Sequence, residues 1–175
     1  MDLKKIRALT LKYTGISNQI VSEVALSFPK ALLSPGEIAA TNKCNAIWDT
    51  GATACAITEL TAAKLKLSPT GNKKVSGLGG TITKNTYVID IVLPNSVEFN
   101  NVIVTEIDNP VDEQGNKIDN FGLLIGMDII AAGDFSITNC DGKTWMSFRM
   151  PSTQKIDYVD EWNKRMAVEQ RSKRK

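Results

Sequence analysis

The 175-residue chain contains no histidine. That absence excludes Ser-His-Asp and Cys-His catalysis and every metal site that relies on imidazole. Acid–base chemistry, if there is any, must come from carboxylates, lysine, tyrosine or cysteine. Cysteine is also scarce: Cys44, Cys55 and Cys140 are odd in number and form no CxxC pair. This argues against a disulfide framework or a zinc ribbon. Cys44 and Cys55 could meet across a hairpin, but reduced, packed thiols are the expectation for a cytosolic chain. No apolar run approaches the ~18 residues of a spanning helix. The opening Met1-Asp2-Leu3-Lys4-Lys5 leads into mixed residues rather than the apolar stretch of a signal peptide. Cytoplasm is therefore the expected compartment, with no membrane partner. Neither sign of charge dominates, since the net charge is +2, and nothing general points to nucleic acid.

What is present suits one globular domain with a core of its own. Strand patterns cover residues 6–13 and, returning after turn residues 15–18, residues 20–28. Thr58 is placed to cap a short helix over residues 58–65. Residues 75–83 place glycines between β-formers, as in a mobile hairpin or loop. Two strands, 87–93 and 97–104, surround Pro94-Asn95-Ser96, and a polar loop spans 108–120. Residues 121–126 read as a buried strand running into a short helix at 127–132. Asp141-Gly142, between apolar-alternating flanks, is a strong hairpin signal. After Pro151 the pattern changes: Tyr158, Trp162 and Met166 recur at helical spacing, so 157–170 reads as an amphipathic helix. Many short strands with turn punctuation imply a mostly β, closed or sandwiched architecture.

The chain is organised around Asp49-Thr50-Gly51-Ala52. Apolar Ala46-Ile47-Trp48 precede it, and small alternating residues follow. As a bare triplet, Asp-Thr-Gly occurs by chance in a chain of this length with odds on the order of a few per cent. It could be a simple hairpin turn, where Asp and Gly are favoured. Its flanks, however, read as buried strands on both sides, an unusual setting for a solvent-exposed tip. Glycine allows close backbone approach, and threonine adds a hydroxyl that can brace a loop.

Two further features follow in order: the glycine-bearing Gly77-Leu78-Gly79-Gly80, and Leu124-Ile125-Gly126 entering a helix. Together with Asp-Thr-Gly-Ala they resemble the retropepsins, the retroviral-type aspartic proteases, over about residues 46–148. The resemblance implies a closed β-barrel of the acid-protease fold, one lobe per chain, over residues 1–150. It implies that Asp49 is catalytic and that Thr50, Gly51 and Ala52 support it. The 77–80 segment would be the substrate-binding flap, and Leu124, Ile125 and Gly126 the ψ-shaped loop beside the site. Because the chain holds one Asp-Thr-Gly and the chemistry needs two carboxylates, the implied protein is a homodimer acting on a polypeptide substrate without cofactor or metal. The alternative within the same fold is a catalytically silent, dimeric peptide-binding adaptor.

The other candidates have plainer readings. Asp128 lacks a following Thr-Gly or Ser-Gly and suits the start of a helix. Asp90, Asp108, Asp112, Glu113 and Asp119 show no EF-hand spacing and read as solvated loop charge. Trp48 and Trp145 read as core. Gly77 to Gly80 lacks the Gly-Lys-Ser/Thr of a phosphate loop. Residues 151–175 form a helix with a basic end, Lys173-Arg174-Lys175, read as a solubilising tail.

Overall fold

The computed structural model describes residues 6–77 and 80–173. Among these residues, ten strands, two short helices and a longer C-terminal helix follow one another as β1 (Arg7–Lys12), β2 (Val21–Ser27), β3 (Thr41–Trp48), β4 (Ala56–Thr58), α1 (Glu59–Lys64), β5 (Gly71–Gly77), β6 (Gly80–Val92), β7 (Glu98–Ile107), β8 (Leu123–Ile125), α2 (Met127–Ile130), β9 (Asp134–Cys140), β10 (Lys143–Met150) and α3 (Tyr158–Ser172). The larger sheet runs β2-β3-β8-β4-β7-β6-β5, and a further β2–β6 pairing joins its ends into a ring, with β5 outside it. The mostly β, closed architecture expected from the sequence is the architecture present. A second sheet, β1-β10-β9, packs beside the ring.

Alternation explains which residues meet in the core. Leu26, Ala46, Trp48, Ile57, Ile89, Ile91, Val104, Leu123 and Ile125 are buried inside the ring strands. Met146 and Phe148 project inward from β10, and Trp48 packs against Phe148 and stacks on Phe135 at a centroid distance of 5.7 Å. Each such aliphatic or aromatic side chain contributes roughly 1.5–3 kcal/mol on burial. The Trp48 indole N–H donates to Ser22 Oγ at 2.9 Å, so its one polar atom is not left unpaired in the core. Trp145 is different. It lies between the inward-facing Thr144 and Met146, is half-buried on the outer face, and carries Lys12 Nζ 4.8 Å above its ring.

Local signals formed much as their chemistry dictates. Thr58 Oγ1 accepts from the N–H of Thr61 and caps α1. Asp141 and Gly142 both have positive φ, 51° and 71°, as a two-residue hairpin between β9 and β10 requires. The strand at 21–27 does not return onto β1. It pairs with β3 and β6, while β1 pairs with β10. Asp90 is not loop charge: it lies within β6, is buried, and accepts the main-chain N–H groups of Lys30 and Asn101 at 2.9 and 2.8 Å. Asp108 and Asp119 pair with Lys84 and Lys64. The three cysteines are free thiols. α3 is capped by Asp157 and buries none of its side chains, leaving Tyr158 and Trp162 more than 60 % exposed. Among the described residues no helix is long and apolar enough to cross a membrane.

Candidate active site

The centre of the molecule is a crossing of three strands. β3 ends at Trp48, the chain loops through residues 49–55, and β4 begins at Ala56. β8 is inserted between those two strands, parallel to β3 (Ile47 opposite Leu124) and antiparallel to β4 (Ala56 opposite Leu124). Main-chain bonds extend this junction at both ends. The N–H of Asp49 donates to Ile125 O at 2.9 Å, and that of Met127 donates to Ala52 O at 2.8 Å. The loop is thus clamped by the segment holding Leu124, Ile125 and Gly126. Gly126 is required by space rather than by backbone freedom, because its φ is −94°. A Cβ there would lie 2.5 Å from the main-chain carbon of Ala54.

Asp49 is half-buried, and Thr50, Gly51 and Thr53 are exposed. Strand flanks on both sides are buried as expected, but the loop itself reaches the surface of the protomer. One carboxylate oxygen, Asp49 Oδ1, accepts the N–H of Gly51 at 2.8 Å. A side chain at Gly51 would bring its Cβ to 3.1 Å from that same oxygen. The other oxygen has no partner among the described residues, and neither has the Thr50 hydroxyl.

Behind the loop, the Asp128 carboxylate accepts the main-chain N–H of Cys55 at 2.9 Å and its thiol at 3.0 Å. Asp128 does sit at the start of α2, as read from sequence, but it also braces the loop that carries Asp49. Burial, reinforced by the thiol's hydrogen bond to Asp128, pushes the Cys55 pKa well up. Burial likewise raises Cys44, to about 11. Both thiols are therefore protonated, poor nucleophiles at neutral pH.

Above the loop stands the hairpin of β5 and β6, in register from Gly71 opposite Thr86 to Gly77 opposite Gly80. Leu78 and Gly79, at its tip, lie outside the described residues. Between hairpin and loop is an open cleft of about 480 Å³, walled by Asp49, residues 51–56 and Lys73, Lys74 and Val75 of β5, with Thr105, Ile107 and Leu124 beneath. Sequence reading missed Lys73, Val75 and Ile107, whose place in the cleft depends on strand register. No cluster of three or more potential metal ligands exists among the described residues. The structure thus brings Asp49, Thr50, Gly51 and Ala52 together with Leu124, Ile125 and Gly126 at one crossing, with the glycine-bearing hairpin across the cleft.

No curated protein matches the sequence. A solved structure of a retropepsin-like aspartic protease from Rickettsia conorii aligns over 83 % of this chain and 95 % of its own, at 15 % identity and a TM-score of 0.44. A family model described as aspartyl protease matches residues 34–129, more than half the chain and spanning the Asp49 loop and its clamp. The chain belongs to the aspartyl protease family.

Proposed function

We propose that the protein is a homodimeric aspartic endopeptidase whose catalytic pair is Asp49 and the partner's Asp49. The observation that carries this reading is the state of the Asp49 carboxylate. One oxygen is held by the Gly51 N–H, the other has no partner among the described residues, and the supporting loop is clamped by the inserted β8. A carboxylate oriented in this way, at the surface of the protomer and beside a cleft, is half of a two-carboxylate site. The exposed, unpartnered Thr50 is free to brace the corresponding loop of a second copy.

In the dimer, two carboxylates in close contact share one proton, because both cannot stay ionised side by side. The ionised Asp49 takes a proton from water, and the water oxygen bonds to the peptide carbonyl carbon. The protonated partner carboxyl gives its proton to the carbonyl oxygen. The resulting gem-diol collapses, the C–N bond breaks, and a proton passes to the departing nitrogen, leaving an acid and an amine. No covalent intermediate is needed, in keeping with a chain that has no histidine and whose nearest thiol, Cys55, is protonated. β5 ends the larger sheet, so one of its edges is open to an extended peptide by strand addition. The hairpin at residues 77–80 serves as the flap in this reading.

The test is cleavage of a peptide library at mildly acidic pH by wild type and Asp49→Asn, together with sedimentation of both. Dimers with cleavage abolished in the variant are expected. Cleavage that survives Asp49→Asn overturns the assignment. Binding without cleavage by wild type indicates a silent peptide-binding module instead.

A further inference from the structure

On the proposed reading of the cleft as a polypeptide site, we infer that it selects substrates carrying an acidic side chain, recognised by Lys73. The argument starts from register. Lys73 lies opposite Lys84, Val75 opposite Ile82, Gly71 opposite Thr86, Thr86 opposite Thr105, and Thr105 opposite Ala56. Directly paired residues share a face, and alternate residues along a strand return to it. Lys73, Val75, Ile82 and Lys84 therefore project from the same face of the hairpin as Thr105 and Ile107, which is the face that lines the cleft over Asp49. Lys74 borders the cleft from the other face of the strand.

The two ammonium groups on the cleft face differ. Lys84 is mostly buried at its side chain and is neutralised by Asp108. Lys73 is exposed and forms no ion pair or hydrogen bond among the described residues. Among the described residues the only carboxylate in the cleft wall is Asp49, which is occupied with the reacting water when the site is at work. Val75, Ile107 and Leu124 form the apolar part of the wall, and Thr105 and a second lysine, Lys74, complete it on this side. An unpaired cation in a wall with no free carboxylate besides the reacting one disfavours a basic side chain and favours an acidic one, and Lys74 at the border adds to the same bias. The substrate class that fits is an extended peptide with an apolar residue near the scissile bond and an aspartate or glutamate a few residues away along β5.

The experiment uses one peptide series with a constant apolar centre and a single Glu, Ala or Lys walked through the flanking positions. Cleavage is followed for wild type, Lys73→Glu and Lys143→Glu. Binding to Asp49→Asn is followed by fluorescence anisotropy. The expected result is a preference for Glu over Lys at one position, carried in KM rather than kcat and shrinking as salt is added. Lys73→Glu should shift that preference about 10-fold toward Lys. Lys143→Glu changes net charge equally at the distant β9–β10 hairpin and should leave it unchanged. Equal handling of Glu and Lys peptides in both assays, or an equal shift in Lys143→Glu, overturns the inference. Glu-selective binding by Asp49→Asn without cleavage by wild type upholds it while removing the protease reading. Cleavage without charge preference does the reverse.

Discussion

The Asp128 carboxylate holds Cys55 twice, through the main-chain N–H at 2.9 Å and through the thiol at 3.0 Å. Cys55 ends the loop that begins at Asp49, and Asp128 opens the helix that follows β8. One acid thus ties the two halves of the strand crossing together from behind. Asp128→Ala should leave the Cys55 N–H without its acceptor and cost about 1.5–2 kcal/mol, the lower part of the range for charged hydrogen bonds, because Asp128 is itself exposed and water can partly substitute. Asp128→Asn keeps one acceptor oxygen and should recover more than half of that loss. Urea denaturation of the three proteins measures it. An Ala variant as stable as wild type would mean that the brace contributes nothing.

Gly126 makes a sharper case. A methyl group there meets the Ala54 main chain at 2.5 Å, and no rotamer change relieves a clash with backbone. Gly126→Ala must therefore push β8 away from the loop that holds Asp49. The expected cost is about 3 kcal/mol or more, at the upper end for overpacking. Gly15→Ala meets nothing within 4 Å and should change stability by less than about 1 kcal/mol. Thermal unfolding of the pair separates a steric requirement at Gly126 from a general penalty for replacing glycine.

How the sequence encodes this arrangement is uneven. Signals that act within a few residues were legible: the Thr58 cap and the Asp141-Gly142 turn. Asp49 stood out because a carboxylate between two strand patterns needs a reason, and the absence of histidine narrowed its possible roles. Features created by pairing at long range were not legible. Residues 45–48 and 122–125 are neighbours only because β8 threads between β3 and β4; the sequence placed Leu124-Ile125-Gly126 beside the Asp49 loop through its resemblance to the retropepsins, and no local pattern marks the insertion beyond the small residue at Gly126. Asp90 reads as solvated charge until Lys30 and Asn101 bring their N–H groups to it. Lys73 shares the face of Thr105 and Ile107 in the cleft wall while Lys74 borders the cleft from the other face of β5, a difference set by one step of register that composition cannot reveal. Trp145 illustrates the same parity from the other side, as an aromatic residue on the outward step of a buried strand.

The three thiols offer a direct reading of burial. Cys140 is exposed at the β9–β10 turn, Cys44 is half-buried, and Cys55 is buried beneath the Asp49 loop. Desolvation raises both Cys44 and Cys55, and the former lies at about 11. At pH 8 a maleimide should label Cys140 within minutes, Cys44 at least ten times more slowly, and Cys55 only when the protein unfolds. Peptide mapping by mass spectrometry gives the order. Early labelling of Cys55 would mean that the loop opens far more readily than its hydrogen bonds imply.

Acid behaviour turns on Asp134, at the start of β9. Its carboxylate accepts from the Ser152 hydroxyl, the Thr153 N–H at 2.9 Å and the Arg149 guanidinium, and these contacts, led by Ser152, hold its pKa well below the usual carboxylate range. The side chain is 11 % exposed, so solvent screens the cluster only partly. A folded-state pKa below the unfolded value means that ionised Asp134 binds fewer protons folded than unfolded. Its contribution is complete above the unfolded pKa, about 3.9, and is lost as pH falls through that value toward the lower folded one. Wild type should therefore exceed Asp134→Asn in melting temperature by a constant margin from pH 7 down to about 5. That margin should narrow below about pH 4 as the wild-type carboxylate takes up its proton. The window matters for function, because an aspartic protease works with one carboxyl of its pair protonated and so favours mildly acidic solution. With its ordinary onset near pH 4, the loss at Asp134 would begin only below that range, leaving β9, β10 and the C-terminal segment anchored at the pH where the proposed dyad would act. Melting curves by circular dichroism at half-unit intervals from pH 3 to 7 decide the matter. A margin that stays constant to pH 3 would show that the cluster stabilises through packing alone and not through the charge on Asp134.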